Sequence, residues 1–189
     1  MQILFLMADG FEETEFVTPF DYLQRAGFEV ALASVSGDSS VTGAHGLKIA
    51  ADFALSGVDT AKFDAVLLPG GGPGVQRLKA SADVERVVCD FNDQNKWIFA
   101  ICAAPLVLSK AGLLVDRTAT CFPAARWNSF ATSLWKTAWW WTAISSRAAG
   151  PEPPRNSRSS ASHSWAAANC PRKSASRSWR ASRFCILFA

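Results

Sequence analysis

KWIFAICAAPLVLSKAGLL, residues 96–114, joins an apolar strand to a helix and has a cysteine at the junction. Residues 97–101 have the length and the β-branched and aromatic content of an interior strand, and helical periodicity follows from residue 104. Cys102 lies between them, where free N–H groups and the positive end of the helix dipole favour a thiolate. The pattern therefore predicts a nucleophile elbow with a lowered thiol pKa, and the alternative is a small buried apolar residue.

A second segment supplies a candidate partner for this cysteine. The first strand, MQILFLMA, runs directly into DGFEETEFVTPFDYLQRAG, which predicts a helix over residues 14–26. Glu12 and Glu13 suit compensation of the helix dipole. Glu15 differs, because the loop after the first strand of a parallel sheet opens on the same edge as the loop that carries Cys102. A carboxyl held against a thiolate has a raised pKa and, when protonated, donates a hydrogen bond to the sulfur.

A third segment, FDAVLLPGGGPGVQRL, places three consecutive glycines after a predicted strand. Glycines allow backbone N–H groups to approach a reacting centre, as in phosphate cradles and oxyanion holes. The run lacks GxxxxGK[ST] and the acidic residue of a dinucleotide fold, which disfavours a nucleotide site. Beside a cysteine elbow, a glycine amide and the amide of Ala103 are better interpreted as the two halves of an oxyanion hole.

Together ADGFEETEFVTPFDYLQRAGFEV, VLLPGGGPG and AICAAPLVLSKAGLL, followed by TATCFP, resemble the ThiJ/PfpI superfamily. This is the class I glutamine amidotransferase-like group that includes the parkinsonism-associated deglycase. The resemblance implies that Cys102 is the nucleophile, that Glu15 is its protonated partner, and that Gly71 and Ala103 supply the oxyanion amides. Provided that the C-terminal region also has the superfamily sequence, it implies a homodimer and glyoxalase or deglycase activity, without a cofactor, on reactive aldehydes or on glycated protein or nucleotide.

The chain departs from the superfamily pattern at two positions. Phe122 stands where some members have a histidine, and Ala103 stands where protease-like members have one, so a cysteine peptidase or amidase is disfavoured. His45, in the loop GAHGLK, is expected to be a surface residue. Base assistance must then come from Glu15, water or substrate. The alternative to an enzyme is a redox-sensing stress protein or chaperone, in which Cys102 is oxidised and nothing is turned over.

The composition changes abruptly after residue 125. Residues 1–125 hold nine Lys and Arg against fifteen Asp and Glu, a net charge of −6, whereas residues 126–189 hold ten against one, a net charge of +9. The second part also contains seven of the eight tryptophans, thirteen serines and no valine. It lacks strand or helix periodicity over most of its length.

The genetic code offers an explanation for this segment. Trp139 to Trp141 followed by Thr142 must be encoded TGGTGGTGGAC, and reading from the third base gives Val, Val, Asp. The same frame through ISSRAAGPEPPRNSRS permits LITSRGPGTAPEFAL, which resembles the C-terminal region of the superfamily. We therefore interpret residues 126–189 as an out-of-frame translation, from a sequencing error or a gene lesion. The alternative is a genuine basic, Trp-rich extension.

The expected fold is one α/β domain over residues 1–125 with a flavodoxin-like, doubly wound parallel sheet, truncated by an aberrant tail that is without a stable fold. Predicted strands are 1–8, 29–35, 65–69, 97–101 and 118–121, and predicted helices are 14–26, 74–93 and 104–112. The five cysteines show no metal-binding spacing, which predicts no metal site and suggests reduced thiols. No signal peptide or membrane span is evident, so we expect a cytoplasmic protein that binds neither membranes nor nucleic acid.

Overall fold

The computed structural model describes residues 1–115, Ala119, Cys121 and Phe122, together with the backbone of two C-terminal strands. Most of the predicted strand 118–121 lies outside the described residues. The described strands are β1 (Gln2–Met7), β2 (Glu29–Ser34), β3 (Ser40–Thr42), β4 (Lys48–Ala50), β5 (Phe53–Ala54), β6 (Ala65–Leu68), β7 (Trp97–Ile101), β8 (Thr142–Ile144) and β9 (Arg183–Leu187). The helices are α1 (Glu13–Arg25), α2 (Gly72–Ala80), α3 (Ala82–Asp93), α4 (Pro105–Lys110) and a 3-10 turn, Thr60–Lys62.

The main sheet has seven strands in the order β5-β2-β1-β6-β7-β9-β8. All neighbouring pairs are parallel except β8 and β9, which are antiparallel. β3 and β4 form a separate hairpin. The predicted parallel sheet is confirmed, and β8 at its edge is the exception to it.

Helices cover both faces of this sheet. Apolar residues of α1 and of the β3–β4 hairpin share one core with alternate residues of β1 and β6, while α2, α3 and α4 share the other. In β1, for example, Phe5 faces the α1 side and Leu4 and Leu6 face the opposite side. Because both faces are buried, central strands appear in the sequence as continuous apolar runs.

The predicted helix over residues 74–93 is wrong in one respect, since it is two helices. Ser81 interrupts it with extended backbone angles of φ −80° and ψ 123°. Its side chain accepts a hydrogen bond from the amide of Val84 at 3.3 Å and so caps α3. The apolar periodicity continues across the break, because both helices pack into the same core.

Two segments of the C-terminal region belong to the main sheet. β9 pairs in parallel with β7, and β8 pairs with β9. The rest of residues 126–189 lies outside the described part of the chain, so the expectation of an unstable tail stays a prediction. None of the helices in the described residues has the length and hydropathy needed to cross a bilayer.

Candidate active site

Three adjacent parallel strands bring the candidate residues to one edge of the sheet. β6 lies between β1 and β7, and the three strands end at Met7, Leu68 and Ile101. The loops that follow lead to the first turn of α1, the glycine run and Cys102. Ligands of open α/β sheets bind at this carboxyl edge.

Cys102 occupies a sharp turn directly after β7. Its φ of 57° lies in the left-handed region, which residues other than glycine rarely adopt. The amide of Ala104 closes the turn by donating to the carbonyl of Ile101 at 2.9 Å. The half-buried thiol receives a hydrogen bond from the amide of Ala103. The predicted elbow is therefore present as a backbone feature.

Glu15 is buried in the first turn of α1 with 6% of its surface exposed. The helix cap holds it there, because the Glu12 carboxyl accepts the amide of Glu15 at 2.7 Å. The amide of Glu12 in turn donates to the carbonyl of Gly70 at 3.1 Å. This bond connects the beginning of α1 to the glycine run. Glu12 therefore has a structural role beyond the compensation of the helix dipole that its sequence position predicted.

The Glu15 carboxyl contacts the Cys102 thiol. It is hydrogen-bonded to this thiol and to the amide of Gly70. Its Oε2 atom is buried and has no hydrogen-bond partner among the described residues. The structure thus brings together the two side chains that the sequence analysis paired, and leaves one carboxyl oxygen available to hold a proton.

Gly70 separates these two side chains and is the residue that the sequence analysis missed. A Cβ atom built on Gly70 would lie 2.9 Å from the Cys102 Cβ and in severe overlap with Glu15 Oε2. Only glycine leaves room for the pair. The run of three glycines in the sequence indicated this site, but it does not show which glycine contacts the Glu15 carboxyl.

Gly71 caps α2 and has a φ of 95°. A Cβ atom there would lie 2.5 Å from both the Gly10 carbonyl oxygen and the Glu12 amide nitrogen, so glycine is required for close packing. The amides of Gly71 and Ala103 donate to no backbone carbonyl within the described part of the chain. The Ala103 amide lies at the Cys102 thiol, and the role of both amides as oxyanion donors stays a prediction.

The pKa of the Cys102 thiol shifts in the direction opposite to the one predicted. Burial and the neighbouring Glu15 carboxyl raise it to about 12, and the hydrogen bond from Ala103 opposes this only in part. Burial also raises the pKa of Glu15, against the hydrogen bonds from Cys102 and Gly70. The expectation of a lowered thiol pKa is therefore wrong, because one backbone amide does not offset burial beside a carboxylate.

His45 lies at the surface, as predicted, with a side chain that is 78% exposed. Its Nδ1 lies 2.8 Å from Glu13 Oε2, and its backbone amide donates to Glu13 Oε1 at 2.5 Å. The hydrogen bond between the imidazole and the Glu13 carboxylate raises the pKa of His45. Ligand atoms of Glu12, Glu13 and His45 lie within 4.8 Å of one another, although both Glu13 oxygens are already used by His45. The expected lack of a metal site stays a prediction.

A second cysteine approaches the elbow from the segment after α4. The amide of Phe122 donates to the carbonyl of Cys102 at 2.9 Å, and Cys121 precedes it with 6% of its surface exposed. Cys102 and Cys121 are both thiols, whereas Cys89 is disulfide-bonded. The expectation of reduced thiols is therefore wrong for Cys89 and stays a prediction for the other cysteines.

A sequence model described as the DJ-1/PfpI family matches residues 1–136. The chain belongs to the DJ-1/PfpI family. It is similar to DJ-1 homolog B of Arabidopsis thaliana, with 38% identity over 65% of this chain and 28% of that protein. It is also similar to a deglycase of Thermococcus kodakarensis, with 39% identity over 64% of this chain and 71% of the relative.

The solved structures that it resembles include DJ-1 proteins. The oxidised DJ-1 of Toxoplasma gondii superposes with a TM-score of 0.62 and 37% identity, over 65% of this chain and 67% of that one. The chain spans 28%, 66% and 31% of the lengths of three DJ-1 relatives. The resemblance to the DJ-1/PfpI family inferred from three motifs is thus confirmed.

Proposed function

We propose that the chain is a cysteine-dependent glyoxalase or deglycase that acts on reactive aldehydes or their adducts. One observation carries this proposal: Cys102 and Glu15 are hydrogen-bonded at the carboxyl edge of the sheet, beside two backbone amides. Relatives that are named deglycases, at 32% and 39% identity, support the substrate class.

The raised pKa values determine how such a reaction begins. A thiol with a pKa of about 12 is almost wholly protonated near neutral pH, so it must lose its proton as it attacks. Glu15 contacts this thiol, and its own raised pKa makes it a stronger base than an ordinary carboxylate. The proposed first step is therefore attack by sulfur on the aldehyde carbon, with transfer of the thiol proton to Glu15.

The backbone amides then stabilise the charge that this attack creates. The aldehyde oxygen becomes an alkoxide, which accepts hydrogen bonds from Gly71 and Ala103. With a glyoxal, the hemithioacetal isomerises as hydrogen moves from the aldehyde carbon to the adjacent carbonyl carbon. The resulting thioester is hydrolysed by water to a 2-hydroxy acid, so the sequence needs no external oxidant or cofactor.

Turnover of methylglyoxal tests the proposal. We expect conversion to lactate by the wild-type chain and a loss on the order of 10²-fold or more in kcat/KM for Glu15→Gln, because general-base transfer contributes that much. Glutamine keeps the size of the side chain but cannot accept the proton. The Cys102→Ala protein defines the background rate of the assay.

The matched control is Glu13→Gln, a change in the same helical turn at a carboxyl that contacts the loop histidine rather than the thiol. This variant is expected to retain wild-type turnover. If wild-type protein is no faster than Cys102→Ala, or if both glutamine variants lose the same activity, the proposed chemistry is wrong.

The pH dependence provides a second prediction. Glu15 accepts a proton only as a carboxylate, and its pKa is raised above 4.5. We expect kcat/KM to fall with decreasing pH, with a midpoint above 4.5, and we expect this acid limb to be absent from the residual activity of Glu15→Gln. A midpoint at or below 4.5 would show that burial does not shift the catalytic carboxyl.

Other expectations from the sequence stay predictions. These are homodimer formation, a cytoplasmic location, and the lack of nucleic-acid or membrane binding. The redox alternative has support from a specific contact, the approach of Cys121 to the elbow, and its consequence is developed below. A peptidase is not favoured, because the residue after Cys102 is alanine and the described His45 contacts Glu13.

A further inference from the structure

We propose that Cys121 resolves oxidised Cys102: a hydroperoxide converts Cys102 to a sulfenic acid, and Cys121 then closes a reversible Cys102–Cys121 disulfide. The inference rests on the reactivity of Cys102, which the proposed function also requires. It concerns regulation of the same site by oxidant, rather than turnover of an aldehyde.

A backbone hydrogen bond joins the segment that contains Cys121 to the elbow. The amide of Phe122 donates to the carbonyl of Cys102 at 2.9 Å. This bond places Cys121, the residue before Phe122, beside the turn that contains Cys102. A disulfide requires the two Cα atoms to lie roughly 4.4–6.8 Å apart, so the proposal requires that spacing at the elbow.

The electrostatic coupling of the two thiols agrees with this placement. Burial and Glu15 dominate the rise in the pKa of Cys102, and Cys121 makes a smaller contribution in the same direction. The two thiols are therefore within electrostatic reach of each other. Cys102 also has a left-handed backbone and lies directly after the last residue of β7, outside the regular strand.

Burial assigns different roles to the two cysteines. Cys102 is half-buried and remains open to a small oxidant, whereas only 6% of Cys121 is exposed. Cys102 is therefore the thiol that meets the hydroperoxide, and Cys121 acts on it from within the protein. The Glu15 carboxyl assists the first step by taking the thiol proton, as in the proposed aldehyde reaction.

The electrons and atoms balance in two steps. In the first, the Cys102 sulfur attacks one oxygen of hydrogen peroxide, the O–O bond breaks, and water leaves as Cys102 becomes a sulfenic acid. In the second, the Cys121 sulfur attacks the Cys102 sulfur, the S–O bond breaks, and a second water leaves. Two thiols are oxidised to one disulfide, and one peroxide is reduced. The disulfide protects Cys102 from irreversible oxidation to sulfinic acid.

The experiment treats fully reduced protein with an excess of hydrogen peroxide, at least two molecules for each Cys102 thiol, and maps its peptides by mass spectrometry. For the wild type we expect a linked pair of peptides that contain Cys102 and Cys121, with the loss of two hydrogen masses, reversed by dithiothreitol. Cys121→Ser should instead gain two oxygens at Cys102, and this change should resist dithiothreitol. Cys102→Ser serves as the control, and Cys121 in this variant should stay unoxidised because it is buried and does not meet the peroxide itself.

Parallel assays separate this inference from the proposed function. Reduced Cys121→Ser is expected to turn over methylglyoxal at the wild-type rate. Disulfide formation without methylglyoxal turnover in reduced wild-type protein overturns the proposed function and leaves the disulfide established. Sulfinic acid at Cys102 in the wild type at the same rate as in Cys121→Ser, with no linked peptides, overturns the role of Cys121.

Discussion

Gly70→Ala is expected to reduce methylglyoxal turnover nearly to the level of Cys102→Ala. The new methyl group would overlap Glu15 Oε2 and lie 2.9 Å from the Cys102 Cβ. Neither side chain can move away easily, because Glu15 is buried in a capped helical turn and Cys102 is fixed by the backbone of the elbow. A displacement of about 1 Å in reacting groups costs about 10²-fold in rate, and here both groups move.

Gly72→Ala is the matched control for this prediction. A Cβ atom at Gly72 meets no atom within 4 Å, and neither Gly70 nor Gly72 has a left-handed φ. Both alanines are therefore compatible with the backbone, and the two variants differ in what the methyl group contacts. We expect Gly72→Ala to keep turnover and to be as stable as the wild type or slightly more stable.

The measurements for this pair are kcat/KM for methylglyoxal and the thermal unfolding midpoint. Loss of turnover in Gly70→Ala, with folded protein and an active Gly72→Ala, would place the defect at the contact between Glu15 and Cys102. Equal activity of the two variants would contradict the prediction, since it would mean that the Glu15 carboxyl can move away from Gly70 without any loss of turnover.

Apolar runs, bounded by glycine, proline and polar residues, were sufficient to predict the main strands of the described domain. β1 and β6 are buried on both faces and β7 mainly on one, so long apolar runs mark all three strands in the sequence. Short elements were missed for the opposite reason. β3, β4 and β5 contain three, three and two residues, too few for an alternating pattern to stand out.

The sequence predicted the pairing of Glu15 with Cys102 in the candidate site, but it did not predict the direction in which the pKa of the thiol shifts. A parallel sheet brings the loops after β1 and β7 to one edge, so the pairing of Glu15 with Cys102 followed from topology. The direction of the thiol pKa did not, because it depends on burial and on the distance to a carboxyl. The helix expected to favour the thiolate is also short, with six residues beginning at Pro105.

Restoring the reading frame is expected to have the largest effect on stability. We propose that residues 126–189 are translated out of frame and that one nucleotide inserted at codons 125–127 recovers the DJ-1/PfpI sequence. The present segment carries a net charge of +9 and contains no valine, so it offers little patterned apolar surface to the sheet. We expect the free energy of unfolding to rise by about 5 kcal/mol, a large part of the stability of a typical domain.

A three-nucleotide insertion at the same codons provides the control, because it changes the length and leaves the downstream frame unaltered. Denaturant unfolding of the three proteins compares their free energies of unfolding, and sequencing of the gene across these codons checks the origin of the shift. Equal stability of the frame-restored and original chains would contradict the proposal, and so would the same gain from the three-nucleotide insertion. Residues 1–125 are then the part of the chain with the family sequence, and the family match ends a short way beyond them, at residue 136.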